Sequence, residues 1–264
     1  MEETPVANFD LKGKVALITG GNGGIGLGMA EGLAASGCDL VIWGSNPGKN
    51  AAAEAKLKGF GHRVLVQKVD VSDENQVEAA FAEALKTMGR IDGCFANAGV
   101  SQSRSAFHEL STGEWRRVHS VNTDGAFFTL RAAARHMVER SKAGDTTGGR
   151  LVGMASTAAI HGAARAQSYA ASKGAMVAMI RALAVEMARY GVTANSILPG
   201  WIETEMTAGG VADPKFSGAV LPRIPARRWG QPDDFGGIAV YLMSDASRYH
   251  TGDSFVIDGA YTIF

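Results

Sequence analysis

Short apolar runs alternate with segments of helical periodicity along almost the whole chain. Seven of these runs are uninterrupted enough to be strands buried on both faces of a sheet. They lie at residues 15–19, 40–43, 64–66, 93–96, 151–155, 194–198 and 254–257. Regular alternation of strand and helix predicts a doubly wound α/β fold, with a seven-stranded parallel sheet and helices on both faces. No internal repeat or linker divides the pattern, so residues 1–264 are predicted to form a single domain.

The intervening helices are predicted from apolar residues that recur every three or four positions. Ile25, Met29 and Leu33 mark the first helix. A helix opening at Ser72 has one apolar stripe, formed by Val77, Ala80, Phe81, Ala84, Leu85 and Met88. The sequence from Ser111 to Glu114 has the form of a capping box and predicts the start of a long helix towards Met137. Two later helices are predicted at about 168–190 and 232–245.

Residues 201–229 do not fit this alternation. The segment contains Gly209, Gly210, Pro214, Pro222 and Pro225 and shows little regular patterning. A long irregular insert in a compact domain is often a lid over a ligand site, and the alternative is a solvated connection. We expect a substrate lid here.

Composition excludes several classes of protein. Among 264 residues, 26 Lys and Arg balance 26 Asp and Glu, so no basic excess points to nucleic acid or to an anionic membrane. Neither cysteine, Cys38 or Cys94, lies in a metal-ligand or disulfide pattern, and no metal site is predicted. The acidic N-terminus has no signal-peptide core, and no apolar stretch is long enough to span a membrane. We therefore expect a cytoplasmic protein.

A glycine-rich loop directly follows the first strand and opens the first helix. It reads Thr19-Gly-Gly-Asn-Gly-Gly-Ile-Gly26. Glycines permit a tight turn and let backbone amides approach a pyrophosphate, which a helix N-terminus stabilises. The strand–loop–helix context predicts a dinucleotide site, against the alternative of a turn that binds nothing.

Tyr169 and Lys173 are four residues apart, so on a helix they share one face. A phenol with an ordinary pKa near ~10 becomes a better acid–base group beside an ammonium, which favours the phenolate. Ser156, which follows the fifth strand, could present its hydroxyl to the same substrate oxygen. The trio suggests proton transfer to or from an alcohol or carbonyl oxygen, whereas the alternative is a pair of surface side chains.

These motifs together resemble the short-chain dehydrogenase/reductase family over essentially the whole chain. The matching residues are the Thr19-Gly20-x-x-x-Gly24-x-Gly26 loop, the Asn97-Ala98-Gly99 turn, the set Asn122, Ser156, Tyr169 and Lys173, and Pro199-Gly200 after the sixth strand. The resemblance implies a Rossmann fold. The loop also fits a second spacing, with Gly23, that is typical of extended relatives acting on nucleotide sugars. Those relatives usually carry a larger C-terminal region, so the chain length favours the compact type.

The resemblance implies a role for each matching residue. Tyr169 would be the general acid for reduction and the base for oxidation, and Lys173 would lower its pKa and bind the nicotinamide ribose. Ser156 would polarise the substrate oxygen, and Asn122 would hold a water in a proton relay. The implied cofactor contacts are Gly20, Asn22, Gly24, Ile25, Gly26, Ser45, Asn46, Asp70, Val71, Asn97, Ala98, Gly99, Tyr169, Lys173, Pro199, Gly200, Ile202 and Thr204.

Some of these cofactor contacts have structural alternatives. Asp70 is expected to accept a hydrogen bond from the adenine amino group, and the backbone of Ile202 and the hydroxyl of Thr204 to hold the carboxamide. Asp70 and Asn122 could instead be caps of helices or turns. Thr204 could be an ordinary lid residue.

The end of the second strand is where the cofactor type should be decided. An acidic residue there would accept from the ribose hydroxyls and repel a 2′-phosphate. The chain has Gly44-Ser45-Asn46-Pro47 instead, and Lys49 follows. Ser45, Asn46 and Lys49 could receive a phosphate, although Gly23 stands where many NADP-using relatives have a basic residue. The pattern predicts NAD(P)(H) and favours NADP.

The predicted function is an oxidoreductase that interconverts a secondary alcohol and a ketone. Polyols or sugar acids, cyclic alcohols and 3-oxoacyl thioesters are the candidate substrates. An epimerase or dehydratase with transient hydride transfer, and a non-catalytic cofactor-binding sensor, are the alternatives. The resemblance also implies a homo-tetramer or dimer. Besides Ser156 and Tyr169, the candidate substrate contacts are His161, Gln167, Trp201 and Met206, with Arg223, Arg227 and Arg228 as anion-attracting or merely solvated charges.

Overall fold

All seven predicted strands form one parallel sheet. The computed structural model describes residues 9–103 and 105–264. The strands are β1 (Val15–Thr19), β2 (Asp39–Gly44), β3 (Val64–Lys68), β4 (Gly93–Ala96), β5 (Gly149–Met154), β6 (Val192–Pro199) and β7 (Ser254–Ile257). Their order is β3-β2-β1-β4-β5-β6-β7, and every neighbouring pair is parallel. The doubly wound fold is confirmed, with strand ends shifted by up to two residues from the predicted ones.

Nine α-helices of the described chain connect these strands or lie beside them. They are α1 (Gly24–Ala35), α2 (Pro47–Lys58), α3 (Glu74–Met88), α4 (Thr112–His119), α5 (Gly125–Lys142), α6 (Gln167–Met187), α7 (Ala208–Val211), α8 (Pro214–Val220) and α9 (Gly236–Met243). The core is divided by the sheet. Within β1, Leu17 packs on the side of α3, α5 and α6, whereas Ile18 packs on the side of α1, α2 and α9. Apolar strands are needed because both faces are covered.

Several helix boundaries differ from the prediction. The helix expected to open at Ser72 begins at Glu74, because the Asp73 carboxylate accepts hydrogen bonds from the amides of Asn75 and Gln76. Helix α2 was not predicted. The helix expected at 232–245 is a short 3-10 segment followed by α9, and the one at 168–190 is α6 followed by a 3-10 turn.

The long helix predicted from Ser111 is interrupted. The Ser111 hydroxyl caps α4 by accepting from the amide of Glu114 at 3.1 Å. The Glu114 carboxylate does not return to the cap; it accepts from the amide of Ser103 at 2.6 Å and from Arg117. A π-helical segment, Ser120–Asp124, separates α4 from α5. Such π-bulges within helices are frequent at functional sites.

The insert at 201–229 is more regular than predicted, since it contains α7, α8 and a 3-10 turn. Its two ends are joined to each other. Ile202 and Gly230 form an isolated parallel bridge, with Glu203 N donating to Gly230 O at 2.8 Å and Gly230 N to Trp201 O at 3.0 Å. The segment between them, residues 203–229, is called the lid below.

Helix α1 approaches α9 and the 3-10 segment before it, Pro232–Phe235, so closely that only glycine fits between them. A Cβ on Gly28 would overlap the carbonyl of Pro232 and lie 3.1 Å from the amide nitrogen of Asp233. A Cβ on Gly32 would lie 2.6 Å from Gly236 Cα. The helix that begins at the glycine loop is thus packed backbone to backbone against this 3-10 segment and the first residue of α9.

Gly28→Ala is expected to destabilise the protein by about 3 kcal/mol, because the added methyl group forces these two backbones apart. Gly237→Ala is the matched control. Gly237 is exposed in α9 and its Cβ would meet nothing within 4 Å, so this variant should be neutral or more stable by up to ~1 kcal/mol. Urea unfolding of both variants measures the difference, and equal midpoints would contradict the packing argument.

The carboxyl ends of the strands meet along one edge, which is where ligands bind in open α/β sheets. The expectation about a signal peptide rests partly on residues 1–8, which lie outside the described residues. Within the described ranges, none of the helices has the length and apolar character that crossing a membrane would require.

Candidate active site

The glycine loop after β1 is held by the turn after β4. Thr19 Oγ1 accepts from the amides of Asn97 and Ala98 at 3.0 and 2.9 Å. In return, Asn97 Nδ2 donates to the carbonyls of Thr19 at 2.9 Å and Gly20 at 3.3 Å. The side chain of Asn97 therefore shapes the loop, while Ala98 and Gly99 continue the turn along the carboxyl edge.

The loop has the form of a cradle for a pyrophosphate. Gly20 and Gly24 have φ of +63° and +50°, in the left-handed region that favours glycine. At Gly26 a Cβ would lie 2.6 Å from Asn97 Nδ2 and 2.9 Å from the carbonyl carbon of Gly20, so this position must be glycine. At Gly23 a Cβ would meet nothing within 4 Å, so the outer side of the loop is open. These residues fit a dinucleotide, with Ile25 in the first turn of α1.

The end of β2 approaches the same loop. Asn22 Nδ2 donates to Asn50 Oδ1 at 2.6 Å, and Asn50 Nδ2 donates to the carbonyl of Gly44 at 3.0 Å. Both asparagine side chains lie where a Cβ of Gly44 would be. Asn22 is thus part of a hydrogen-bonded link between the glycine loop and α2.

The residues predicted to receive a 2′-phosphate lie at the start of α2 and are exposed. Asn46 caps this helix, with Oδ1 accepting from the amide of Lys49 at 3.1 Å. The Lys49 ammonium forms an ion pair with Glu205 of the lid. Ser45 is exposed at the end of β2. This surface retains hydroxyl, amide and ammonium donors and has no acidic residue from 44 to 50.

The predicted adenine contacts after β3 have local partners. Asp70 Oδ1 accepts from the amide of Ser72 at 3.0 Å and from its hydroxyl at 2.7 Å. Asp70 is exposed, and this turn matches the structural alternative stated for it. Val71 is 7% exposed and packs against Gly125 at the start of α5, so it belongs to the core as well as to the edge of the cleft.

Ser156 and Tyr169 are brought together at the end of β5. Ser156 Oγ accepts from the amide of Ala158 at 3.1 Å, which leaves its O–H free to donate. Tyr169 lies in the first turn of α6. Burial raises the pKa of the Tyr169 phenol, and a hydrogen bond with Ser156 acts in the opposite direction. The protein's own groups therefore favour the protonated phenol.

Lys173 is 3% exposed and lies one turn after Tyr169. Its Nζ donates to the carbonyl of Met154 at 2.8 Å and lies 5.6 Å from the centre of the Tyr169 ring. Burial lowers the pKa of Lys173 to about 8. In the protein alone, burial raises the pKa of the Tyr169 phenol, and its lowering by the Lys173 ammonium stays a prediction.

Asn122 lies in the π-helical turn and is 1% exposed. Its Oδ1 accepts from the amide of Val100 at 2.8 Å, and its Nδ2 donates to Val100 O at 3.0 Å and Ser172 Oγ at 3.1 Å. The amide thus joins the turn after β4 to α6. A Cβ on Gly99 would lie 3.3 Å from Asn122 Oδ1 and 3.4 Å from Lys173 Nζ, so both groups face the same small residue.

A buried glutamine that sequence reasoning missed fixes the start of α6. Gln102 is 7% exposed, and its Oε1 accepts from the amide and hydroxyl of Ser168 at 2.8 and 2.7 Å. Its Nε2 donates to Gln167 Oε1 at 3.3 Å. Gln167 is therefore held by a protein partner beside Tyr169. Nothing in the polar run around Gln102 distinguished it in the sequence.

The turn after β6 brings the lid to the glycine loop. Gly200 follows Pro199 and donates to Ile257 O at 2.9 Å, and a Cβ there would lie 2.5 Å from Asp258 Cβ. Ile202 is buried. The methyl group of Thr204 would lie 3.3 Å from a Cβ on Gly24, so Thr204 sits directly over the predicted pyrophosphate loop.

Aromatic side chains surround the outer part of the cleft. The ring centres of His161 and Tyr261 are 5.6 Å apart, and those of Trp201 and Tyr261 are 6.4 Å apart. The guanidinium carbon of Arg223 lies 5.0 Å from the Tyr261 ring centre. The structure thus joins His161, Trp201 and Arg223 through Tyr261. The rings of His161, Trp201 and Tyr261 are called the aromatic wall below. The sequence prediction omitted Tyr261 because it lies in a C-terminal tail without a motif.

The other predicted substrate contacts are placed differently. Met206 is half exposed on the lid. Arg228 forms a bidentate pair with Asp234 at 2.6 and 2.7 Å, and Arg227 donates to Pro222 O at 2.8 Å. Arg227 and Arg228 therefore have partners in the lid and in the 3-10 segment that follows it. Arg223 is the candidate arginine that stacks on Tyr261 of the aromatic wall.

The chain matches known proteins over nearly its full length. A family model described as enoyl-(acyl carrier protein) reductase matches residues 20–262. The 2-dehydro-3-deoxy-D-gluconate 5-dehydrogenase of Dickeya dadantii is 38% identical over 253 residues, 96% of this chain and 97% of that enzyme. A short-chain type dehydrogenase/reductase from Mycobacterium marinum has a crystal structure with a TM-score of 0.90, 33% identity, and coverage of 96% and 97% of the two chains. The chain belongs to the short-chain dehydrogenase/reductase family.

A further solved member of this family is the gluconate 5-dehydrogenase of Burkholderia cenocepacia, in complex with NADP and tartrate. It is 36% identical, with a TM-score of 0.90 and coverage of 97% and 98% of the two chains. The chain is thus an NAD(P)(H)-dependent oxidoreductase that interconverts an alcohol and a ketone, as predicted. The alternatives of an epimerase, a dehydratase or a non-catalytic sensor are not favoured.

Proposed function

We propose that this short-chain dehydrogenase/reductase acts on the hydroxyl or keto group of a sugar acid, with NADP(H) as the preferred cofactor. Tyr169 is the general acid and base of the reaction, Ser156 binds the reacting oxygen, and Lys173 and Asn122 complete the site. The observation that carries the proposal is the pairing of the partly buried Ser156–Tyr169 contact with an aromatic wall that holds one arginine, Arg223.

Proton transfer follows from the state of the phenol. Since burial keeps Tyr169 protonated, its hydroxyl donates a proton to the ketone oxygen during reduction. Ser156 Oγ is oriented by the amide of Ala158 and donates a hydrogen bond to the same oxygen, which stabilises its developing negative charge. When bound, the nicotinamide supplies or accepts the hydride.

Lys173 and Asn122 have supporting roles beside the Tyr169 phenol. Lys173 Nζ is fixed by the Met154 carbonyl and retains hydrogens for a ribose hydroxyl. Its positive charge limits the cost of forming the phenolate after proton transfer. Asn122 Oδ1 has one acceptor position left after bonding Val100, which suits a relay water.

The cofactor would be held by the glycine loop and by the edges that pack on it. The amides of Gly24 and Gly26 suit the pyrophosphate, and Ile202 and Thr204 suit the carboxamide. Gly20 would line the loop without donating its amide, which is bonded to Trp43 O at 2.7 Å. The exposed donors of Ser45, Asn46 and Lys49 favour a 2′-phosphate over bare ribose hydroxyls. The related enzyme of Burkholderia cenocepacia was solved with NADP, which supports the same choice.

A sugar-acid substrate is supported by Arg223 and by the relatives. The guanidinium stacks on Tyr261, an arrangement that fixes its plane while leaving donors for a carboxylate. His161 and Trp201 contact the same ring and provide a wall for the sugar chain. Two of the relatives described above are named for dehydrogenation of gluconate or of a deoxy-gluconate derivative.

Arg223→Met is expected to raise KM for gluconate oxidation about tenfold or more, since one charge-assisted contact contributes roughly 1.5–3 kcal/mol. The KM for the neutral polyol glucitol, which has an alcohol in place of the carboxylate, should change little in this variant. Arg227→Met is the matched control. Initial rates are measured with NADP and with NAD for each substrate. Equal losses for gluconate and glucitol, or faster turnover of glucitol by the wild type, would refute sugar-acid recognition by Arg223.

Two further expectations stay predictions. Exposed apolar side chains lie on α5, at Phe127, and at the C-terminus, at Ile263 and Phe264. These surfaces are consistent with the predicted homo-tetramer or dimer. The predicted cytoplasmic location also stays a prediction.

A further inference from the structure

Helix α6, which carries Tyr169 in its first turn, has no side-chain cap of its own. Its N-cap residue is Ala166, which has no side-chain acceptor. The first backbone amides of a helix need acceptors from outside that helix. The amide of Ser168 finds its acceptor in Gln102, which lies 66 positions earlier in the loop after β4. The start of α6 is therefore capped by a distant segment of the chain.

This cap is buried on both sides. Gln102 is 7% exposed and Ser168 is 0% exposed. Gln102 Oε1 accepts from the amide of Ser168 at 2.8 Å and from its hydroxyl at 2.7 Å. Because both residues are buried, water has little access to replace these bonds. Removal of the Gln102 oxygen would leave a buried amide and a buried hydroxyl without an acceptor, and a shift of the helix start is one way to relieve that cost.

The same loop also holds the backbone on the other side of Tyr169. The Tyr169 carbonyl accepts from Ser172 Oγ at 2.7 Å, and this hydroxyl accepts from Asn122 Nδ2 at 3.1 Å. Asn122 in turn bonds the amide and the carbonyl of Val100, two residues before Gln102. The residue before Tyr169 and its own carbonyl are thus tied, by two separate routes, to one short stretch of the loop after β4.

The hydrogen bonds also fix the orientation of the Gln102 amide. A backbone N–H can only donate, so the oxygen of Gln102 faces Ser168 and its Nε2 faces Gln167. Gln167 Oε1 accepts from this Nε2 at 3.3 Å, which turns Gln167 Nε2 away from Gln102. Gln167 Nε2 has no acceptor in the described chain and is accessible to solvent. Gln167 therefore presents an N–H donor two residues before Tyr169.

We propose that Gln102 is a positioning residue of the reaction. It holds the turn that places the Tyr169 hydroxyl, and it directs the Gln167 amide so that Gln167 donates a hydrogen bond to an oxygen of the substrate. This inference rests on the proposed role of Tyr169 as general acid and base. Placement matters because a displacement of about 1 Å can lower turnover by roughly 10²-fold. A substrate with several hydroxyl oxygens offers acceptors for the Gln167 donor.

Gln102→Met keeps the length of the side chain and removes both of its polar atoms. It is expected to lower kcat about ten- to a hundredfold while the Kd for NADPH changes less than about twofold. Rates are measured with NADP and whichever of gluconate and glucitol the wild type turns over faster, at a temperature well below the Tm of each variant. A role in stability alone would lower Tm and leave kcat unchanged. Ser101→Ala, an exposed neighbour in the same loop, is the matched control and should keep wild-type rates.

Gln102→Glu separates the two parts of the proposed role. The variant keeps an oxygen for Ser168 and loses the N–H that Gln167 accepts. At a pH near ~8, where a carboxylate is ionised, kcat should return to within a few-fold of the wild type. The KM should rise about two- to tenfold, because the Gln167 amide turns its N–H groups towards the new carboxylate and away from the substrate.

If Gln102→Met does not fold, Ser168→Ala decides together with Gln102→Glu. Ser168→Ala removes the hydroxyl donor and keeps the amide, so kcat should fall several-fold. Three results would overturn the proposal: a wild-type kcat in folded Gln102→Met or in Ser168→Ala, an equal loss of kcat in Gln102→Met and Gln102→Glu, or an unchanged KM in Gln102→Glu. Wild-type activity in Tyr169→Phe would instead refute the proposed function, so the two failures are distinguishable.

Discussion

Tyr169→Phe is expected to lower kcat for ketone reduction by about 10²–10⁴-fold, the usual contribution of a positioned general acid. The variant keeps the ring in the first turn of α6 and removes only the hydroxyl that contacts Ser156. Because the phenol holds the proton that the ketone oxygen needs, chemistry is lost while the pocket keeps its shape. Stopped-flow and steady-state measurements with NADPH give kcat, and fluorescence titration gives the cofactor Kd.

The cofactor Kd should change little in this variant, since Lys173 remains fixed by the Met154 carbonyl. Tyr190→Phe, in the 3-10 turn after α6, is a control for the loss of a tyrosine hydroxyl and should retain wild-type rates. Activity within a few-fold of the wild type in Tyr169→Phe would show that another group protonates the substrate.

Gly26→Ala is expected to weaken NADPH binding by about 10- to 100-fold, the equivalent of a 1–3 kcal/mol overpacking cost. The new methyl group would lie 2.6 Å from Asn97 Nδ2 and 2.9 Å from the Gly20 carbonyl carbon. Relief of that overlap requires the loop to separate from the turn after β4, which breaks the hydrogen bonds of Asn97. The amides that would face a pyrophosphate then lose their common orientation.

Gly23→Ala provides the comparison within the same loop. Its backbone is extended, with φ −177°, and its Cβ would meet no atom within 4 Å. NADPH affinity should stay within a few-fold of the wild type. Isothermal titration of both variants, with Tm measured on each, separates a damaged loop from a damaged fold. Comparable affinity in the two variants would mean that contacts outside the loop dominate cofactor binding.

The sheet was predictable because its strands are buried on both faces, and such strands are continuous apolar runs whose ends alone are ambiguous. Helix α2 was missed because it is rich in Ala and Lys and has no apolar stripe. The interruption at Ser120–Asp124 was also beyond local pattern. It is accompanied by hydrogen bonds between Asn122 and Val100, residues of different elements that the sequence does not show to be neighbours.

In the candidate site, too, some features follow from the sequence motif and others arise only in the folded chain. A motif indicated that Ser156 and Tyr169 share a pocket, and the structure brings them into contact. The motif could not show that the Asn97 side chain donates to the carbonyls of the glycine loop, because those bonds depend on how the strand ends meet. The hydrogen bonds of Asp70 to Ser72 are local and match the alternative given for Asp70 from the sequence. Nor could the motif reveal Gln102 and Tyr261, which matter through burial and ring contacts formed only in the folded chain.

The bridge between Ile202 and Gly230 gives the lid the character of an exchangeable module. Both ends of the lid leave the body of the protein at one point, so the spacing of its attachment does not depend on the length or sequence between them. We expect that changes in the lid after Glu205 alter substrate range without disturbing the sheet register, whereas Thr204 and Glu205 at its start lie against the cofactor side of the cleft. Substrate range in such a protein can diversify, in nature or by lid grafting, while the cofactor half remains constant.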